Sequence, residues 1–138
     1  MDKNRSGIRI MDVIMAVLGI VFLLGIIFLF GPCGPKEDGS YMTCHWAGNA
    51  ETGIASVLLI LSLMQVFIKN KDIKTGISLS MIPVSLLGLF IPGRLINLCM
   101  MHDMACHLKM HPAVTVCTIL FAVMSIINIV LLRRGEKK

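Results

Sequence analysis

The chain of 138 residues carries a formal net charge of +5, is 56% hydrophobic and only 15% charged, and has a mean hydropathy of +0.82. Soluble domains do not reach that apolar content, so a water-soluble enzyme is excluded and one membrane-embedded domain over residues 1–138 is expected.

Charge-free runs at 13–35, 52–68, 75–93 and 112–132 predict spans at about 13–33, 51–68, 75–93 and 112–132. A helix rises about 1.5 Å per residue and needs roughly 20 residues to cross the hydrocarbon, so each stretch is long enough to span or nearly so. The expected fold is all-α, a polytopic membrane four-helix bundle. The first run exceeds the apolar core of a secretory signal, about 7–15 residues, and no small-x-small cleavage site follows it, so it is expected to be retained. Cys33 follows Pro32 where lipoprotein cleavage needs a small residue, which argues against a lipidated cysteine.

Beyond the first span comes Met42-Thr43-Cys44-His45-Trp46. Asn49 reads as the N-cap of the second helix, with Glu51 in its first turn, where a carboxylate meets the positive end of the helix dipole. A basic loop then leads to the third span, which Pro83 is expected to bend. Arg94 lies just past that span and is placed to snorkel to the interface. Before the fourth span Met104-Ala105-Cys106-His107 repeats Met-x-Cys-His, and Pro112 is expected in the first helical turn, leaving His107 and His111 in the loop. Cys117 falls within the fourth span.

The basic residues orient the chain. Lys3, Arg5 and Arg9 precede the first span, Lys69, Lys71 and Lys74 separate the second from the third, and Arg133, Arg134, Lys137 and Lys138 follow the fourth. Only Lys36, Arg94 and Lys109 fall on the other side. The positive-inside rule places both termini in the cytoplasm and residues 34–50 and 94–111 outside, in a multi-pass protein of the cell membrane. Topology and anionic headgroups account for the charge, and no nucleic-acid partner is implied.

The outer segments gather Cys44, Cys99 and Cys106, with Cys33 at the rim, and all four histidines. The run "LLGIIFLFGPC" before the first Met-x-Cys-His resembles "LLGLFIPGRLINLC" before the second. Two parallel helical-hairpin repeats, about 8–68 and 74–133, are therefore expected, related by an axis along the membrane normal.

"EDGSYMTCHWAGNAETGI", "KNKDIKTGISLS" and "CMMHDMACH" resemble a family of small prokaryotic four-helix membrane proteins of unknown function. The resemblance covers nearly the whole chain, and Met42 to Trp46 is its most specific part. It implies membership without a mechanism, and at most an ABC-type export permease as partner.

Four cysteines on an oxidising face read first as disulfides. Local closure pairs Cys33 with Cys44 and Cys99 with Cys106; the crossed alternative, Cys33 with Cys99 and Cys44 with Cys106, staples the hairpins together. Cys44, His45, Cys106 and His107 also offer soft ligands for copper or zinc, although adjacent residues chelate one ion poorly. A thiol-disulfide redox protein is the other alternative. Its four-helix layout is similar to that of vitamin K epoxide reductase, but that enzyme type uses a Cys-x-x-Cys pair, which is absent here.

His45, His107, Trp46, Glu51 and Arg94 form the candidate outer polar pocket, with Trp46 as a belt residue or lid. Helix contacts are expected at Gly19, Gly25, Ala55, Ser62, Ser78, Ser85, Gly88, Ala122 and Ser125. Interior polarity is confined to Asp12, Gln65 and Asn128, which argues against a proton-coupled transporter. The leading expectation is a non-catalytic accessory or scaffolding protein without a resident cofactor, bound to the lipid bilayer and to a membrane-protein partner or a second copy. The alternative is a redox or soft-metal protein using the Cys/His cap.

Overall fold

The structure is a computed structural model that describes residues 2–29, 37–41, 43–96 and 106–135, with the side chains of 2–6, 44, 106 and 107 outside the description. Four α-helices account for most of it: α1 (Asp2–Leu24), α2 (Thr43–Phe67), α3 (Lys71–Phe90) and α4 (His111–Arg134). All four are long and apolar enough to cross a membrane. They pack in the ring order α1, α2, α3, α4, with the closest packing within the pairs α1–α2 and α3–α4.

The burial pattern explains the arrangement. Buried positions in α1 and the turn after it run Ile8, Asp12, Met15, Gly19, Phe22 and Ile26; in α3 and its extension they run Lys74, Ser78, Met81, Ser85, Gly88 and Pro92. Helices α2 and α4 bury Glu51, Ala55, Leu58, Ser62 and Gln65, and Val114, Thr118, Phe121, Ser125, Asn128 and Leu132. Steps alternate between four and three residues, the seam of a left-handed bundle. The outward faces stay apolar, as at Val17 and Val21, Val57 and Ile60, Leu79 and Leu87, and Val123 and Ile127. Large apolar side chains cover the outside while Asp12, Lys74, Gln65 and Asn128 are buried beside the apolar core, a pattern unlike that of a water-soluble bundle, and the outward faces meet lipid.

Small residues set the closest approaches. An added Cβ at Gly19 would stand 3.2 Å from the Leu59 backbone, and one at Gly88 would stand 3.0 Å from Thr118 Cγ2. Of the nine small positions expected at contacts, all are buried except Ala122, which is half-buried. Phe22 and Phe121 fill the centre, their ring centroids 6.3 Å apart.

The helices extend beyond the charge-free runs. Helix α1 begins at Asp2 and α3 at Lys71, because charged side chains at a span's end can reach water while the backbone remains helical. Asn49 is not an N-cap: α2 begins six residues earlier, at Thr43, where the polar Thr-Cys-His segment opens the helix. The short link Ile68–Asn70 makes α2 and α3 antiparallel, and Asn70 caps α3 by accepting from the Asp72 amide at 3.3 Å.

Helix α3 runs through Pro83 and leaves helical geometry at Pro92 and Gly93, within a π-helical turn, Ile91–Leu95. Gly93 has φ +87°, which favours glycine, and its amide donates to Ile96 O while the Ile96 amide donates to Ile91 O. The backbone groups freed by the break are thereby re-paired, as the edge of an apolar medium requires. Gly25–Leu29 is also a π-helical turn, and Cys106–Met110 is a third, leading into α4. Pro112 lies in the first turn of α4, as expected, and His111 is its first residue.

Candidate functional site

The end of the bundle that carries both termini is held by one polar layer. Lys74 Nζ donates to Asp12 Oδ2, forming the only ion pair among the described residues. Both side chains are almost fully buried, Asp12 at 1% exposure and Lys74 at 7%. Gln65 Nε2 donates to Ser78 Oγ at 2.7 Å. The Asn128 amide nitrogen lies 3.3 Å from Gln65 Oε1, 3.3 Å from Ser78 Oγ and 3.4 Å from Asp12 Oδ1.

Both diagonals of the bundle are bridged within this layer. Asp12 and Lys74 join α1 to α3, while Gln65 and Asn128 join α2 to α4. One turn further in, Ser125 Oγ approaches Met81 Sδ at 3.7 Å and Ser62 Oγ donates back to Leu58 O at 2.7 Å. Buried charge is costly in hydrocarbon unless paired, so this layer favours the one register in which all its members meet.

Lys74 belongs to that layer as well as to the basic loop the sequence implied. The signal was its spacing: Lys74 precedes Ser78, Met81 and Ser85 by steps of four, three and four, which places it on the buried seam. Its charge still marks the terminus-bearing end of the bundle.

Near the opposite end lies Glu51, fully buried on α2. Neither carboxylate oxygen has a hydrogen-bond partner among the described residues. A Cβ added at Gly88 would stand 3.6 Å from Glu51 Oε2 and 3.2 Å from Ile54 Cγ2, so Glu51 packs against the bare backbone of α3. The neighbouring Thr118 hydroxyl donates to Val114 O at 2.8 Å, within its own helix. Glu51 therefore sits in the seam beside Gly88, where Ile54 and Thr118 Cγ2 also crowd the α3 backbone.

The other expected pocket residues lie elsewhere. Trp46 is exposed and Arg94 is exposed, and no described ion pair joins Arg94 to Glu51. His45 is half-buried, stacked on Tyr41 with centroids 4.3 Å apart, and meets Trp46 edge-on at 6.0 Å. The Asn49 amide nitrogen lies 3.3 Å from His45 Nε2, within hydrogen-bonding distance. This exposed Tyr-His-Trp-Asn group caps the start of α2 and is separate from the buried Glu51.

The disulfide expectation lies outside the described residues. Cys33 and Cys99 are not among them, and for Cys44 and Cys106 only the backbone is described, as for His107. Cys44 stands in the first turn of α2 and Cys106 opens the π-helical turn before α4. Among the described residues no group of three or more His, Cys, Asp or Glu side chains is arranged to hold a metal ion. Cys117 is a free, half-buried thiol within α4.

Four apolar spanning helices around a buried polar seam define a multi-pass membrane protein. The chain belongs to the family described as a domain of unknown function, DUF4418, whose match covers residues 15–131. No curated protein and no solved structure matches it.

Proposed function

We propose that this protein is a non-catalytic accessory or scaffolding subunit of the membrane, built from two parallel hairpin repeats and capped outside by disulfide-bridged loops. The observation that carries this reading is the polar layer of Asp12, Lys74, Gln65, Ser78 and Asn128, which joins all four helices across both diagonals. Its polar groups are used mainly on one another, which suits a rigid, self-registered unit better than a conduit. What such a unit offers a partner is its outer faces and loops.

The duplication is supported by burial. Ala47, Glu51, Ala55, Leu58, Ser62 and Gln65 are buried, and so are Met110, Val114, Thr118, Phe121, Ser125 and Asn128, each 63 positions later. In the first helix of each hairpin the burial pattern recurs at a shift of 66, from Asp12, Met15, Gly19 and Phe22 to Ser78, Met81, Ser85 and Gly88, three residues beyond the shift of 63 that lays Leu23–Gly25 on Leu86–Gly88. The π-helical turns Gly25–Leu29 and Ile91–Leu95 are also 66 apart.

In this reading both termini are cytoplasmic, and the local pairs Cys33–Cys44 and Cys99–Cys106 pin the two outer loops. The partner is another membrane protein, an export permease of the ABC type being the family-level expectation, or a second copy of the chain. A photo-crosslinking residue at Val17, Val57, Leu79 or Val123, all exposed on different helices, tests this in intact cells. A protein adduct of one defined mass from one helix face, with the other faces labelling lipid, is expected. Lipid labelling alone from all four faces contradicts the accessory role.

A second reading is a redox or soft-metal protein using Cys44, His45, Cys106 and His107. It is favoured by the position of Cys44 in the first turn of α2, where the helix dipole stabilises a negative ligand atom, and of Cys106 at the start of the π-helical turn that leads into α4.

A further inference from the structure

At the terminus-bearing end of the bundle a cavity of about 400 Å³ opens between the start of α1, the end of α2, the start of α3 and the end of α4. It has two chemically distinct walls. One is apolar, formed by Ile8, Val66 and Leu132; the other is cationic, formed by Arg9, Lys69, Lys71 and Lys74. Among the described residues the only acid lining it is Asp12, which is engaged by Lys74. Arg9, Lys69 and Lys71 are exposed, and none of them pairs with a carboxylate among the described residues.

We propose that this cavity binds the phosphate headgroup of an anionic membrane phospholipid. Its volume lies in the range of small-ligand pockets, roughly 300–1,000 Å³. Three uncommitted cations converge on it, and the N-terminus of α3, which Lys71 opens, adds its positive dipole end. Its place at the end of the spans is where headgroups lie. Val13 and Val66 line it and are also exposed to the surrounding bilayer, so acyl chains continue from the cavity along the outside of α1 and α2. A soluble phosphate would use the cationic wall alone; a phospholipid uses both. Bound there, the lipid lies beside the Asp12–Lys74 pair and braces the ends of all four helices.

The test uses the full chain purified in a zwitterionic detergent, with bound lipid counted by native mass spectrometry. Phosphatidylglycerol, phosphatidylcholine of the same acyl chains, and inorganic phosphate are the probes. One phosphatidylglycerol is expected to bind saturably, with phosphatidylcholine at least tenfold weaker and millimolar phosphate failing to displace it. Arg9→Gln, Lys69→Gln and Lys71→Gln each weaken binding by roughly fivefold, as loss of one basic contact at an anionic surface does. Arg133→Gln/Arg134→Gln, which removes exposed charges outside the cavity, leaves binding unchanged. Because all five residues are exposed, the melting temperature without lipid serves as the folding control. Equal retention of both lipids, equal losses from the Arg133/Arg134 variant, or displacement by inorganic phosphate would overturn the proposal, the last assigning the cavity to a soluble anion.

Discussion

Replacing Lys74 by Met, which keeps the length and removes the charge, should be among the most damaging single changes in the chain. Asp12 is 1% exposed, and without Lys74 its remaining described contact is the Asn128 amide nitrogen at 3.4 Å, a long hydrogen bond shared with two other acceptors. A buried ion pair broken on one side costs about 3–5 kcal/mol because a charge is left uncompensated. The poor substitute offered by Asn128 puts Lys74→Met in that range. Asp12→Leu should cost a similar amount by stranding the lysine. The double variant Asp12→Leu/Lys74→Met should recover most of the loss, since an apolar pair of similar volume removes the desolvation penalty of both charges. Reversible unfolding of the detergent-solubilised protein, followed by the loss of helical signal, provides the four corners of the cycle. Single costs below about 1 kcal/mol, the value for an exposed pair, would refute the burial argument. Additive costs in the double variant would refute the pairing.

Two further perturbations probe the seam. Gly19→Ala places a methyl 3.2 Å from the Leu59 backbone, so the α1–α2 contact must open, at about 1–3 kcal/mol of overpacking. Gly53→Ala and Gly76→Ala meet nothing within 4 Å and should be neutral or stabilising by up to about 1 kcal/mol through helix propensity; both follow from melting curves. Glu51→Met removes two buried oxygens without partners among the described residues, so it should stabilise the bundle by about 1–3 kcal/mol. Destabilisation by Glu51→Met in the same unfolding assay would show that the carboxylate has a partner beyond the described residues.

Much of the fold was legible because the bilayer simplifies it. Charge-free runs marked the spans, and Gly19, Gly88, Ser62 and Ser125 marked the contacts, since close backbone approach replaces hydrophobic burial as the means of packing there. The limits of the spans were less legible. A charge-free run ends at the first charge, whereas Arg9, Asp12, Lys71 and Lys74 are helical.

The same effect hid Lys74. Counted as one of several loop cations, it looked topogenic, and only the four-three seam distinguishes it from Lys69 and Lys71, which are exposed. Glu51 was expected in a first helical turn, but α2 begins at Thr43. Eight residues of helix, about 12 Å at 1.5 Å each, separate Glu51 from that start and carry it into the seam. The polar character of Thr43, His45 and Asn49 concealed this, because polar residues before an apolar run resemble a loop and its cap.

The most direct test of the structural, non-catalytic reading of the cap is the intact mass of the purified protein under non-reducing conditions, with thiol labelling and metal analysis on the same sample. Of the five cysteines, four are predicted to be bridged. The native chain should be lighter than the reduced one by four hydrogens, the only thiol labelled after unfolding should be Cys117, and no stoichiometric metal should be present. Bridges between Cys33 and Cys44 and between Cys99 and Cys106 should survive mild thiol treatment of the folded protein. Four free thiols accompanied by copper or zinc, or a bridge that exchanges readily while the fold stays intact, would contradict the account.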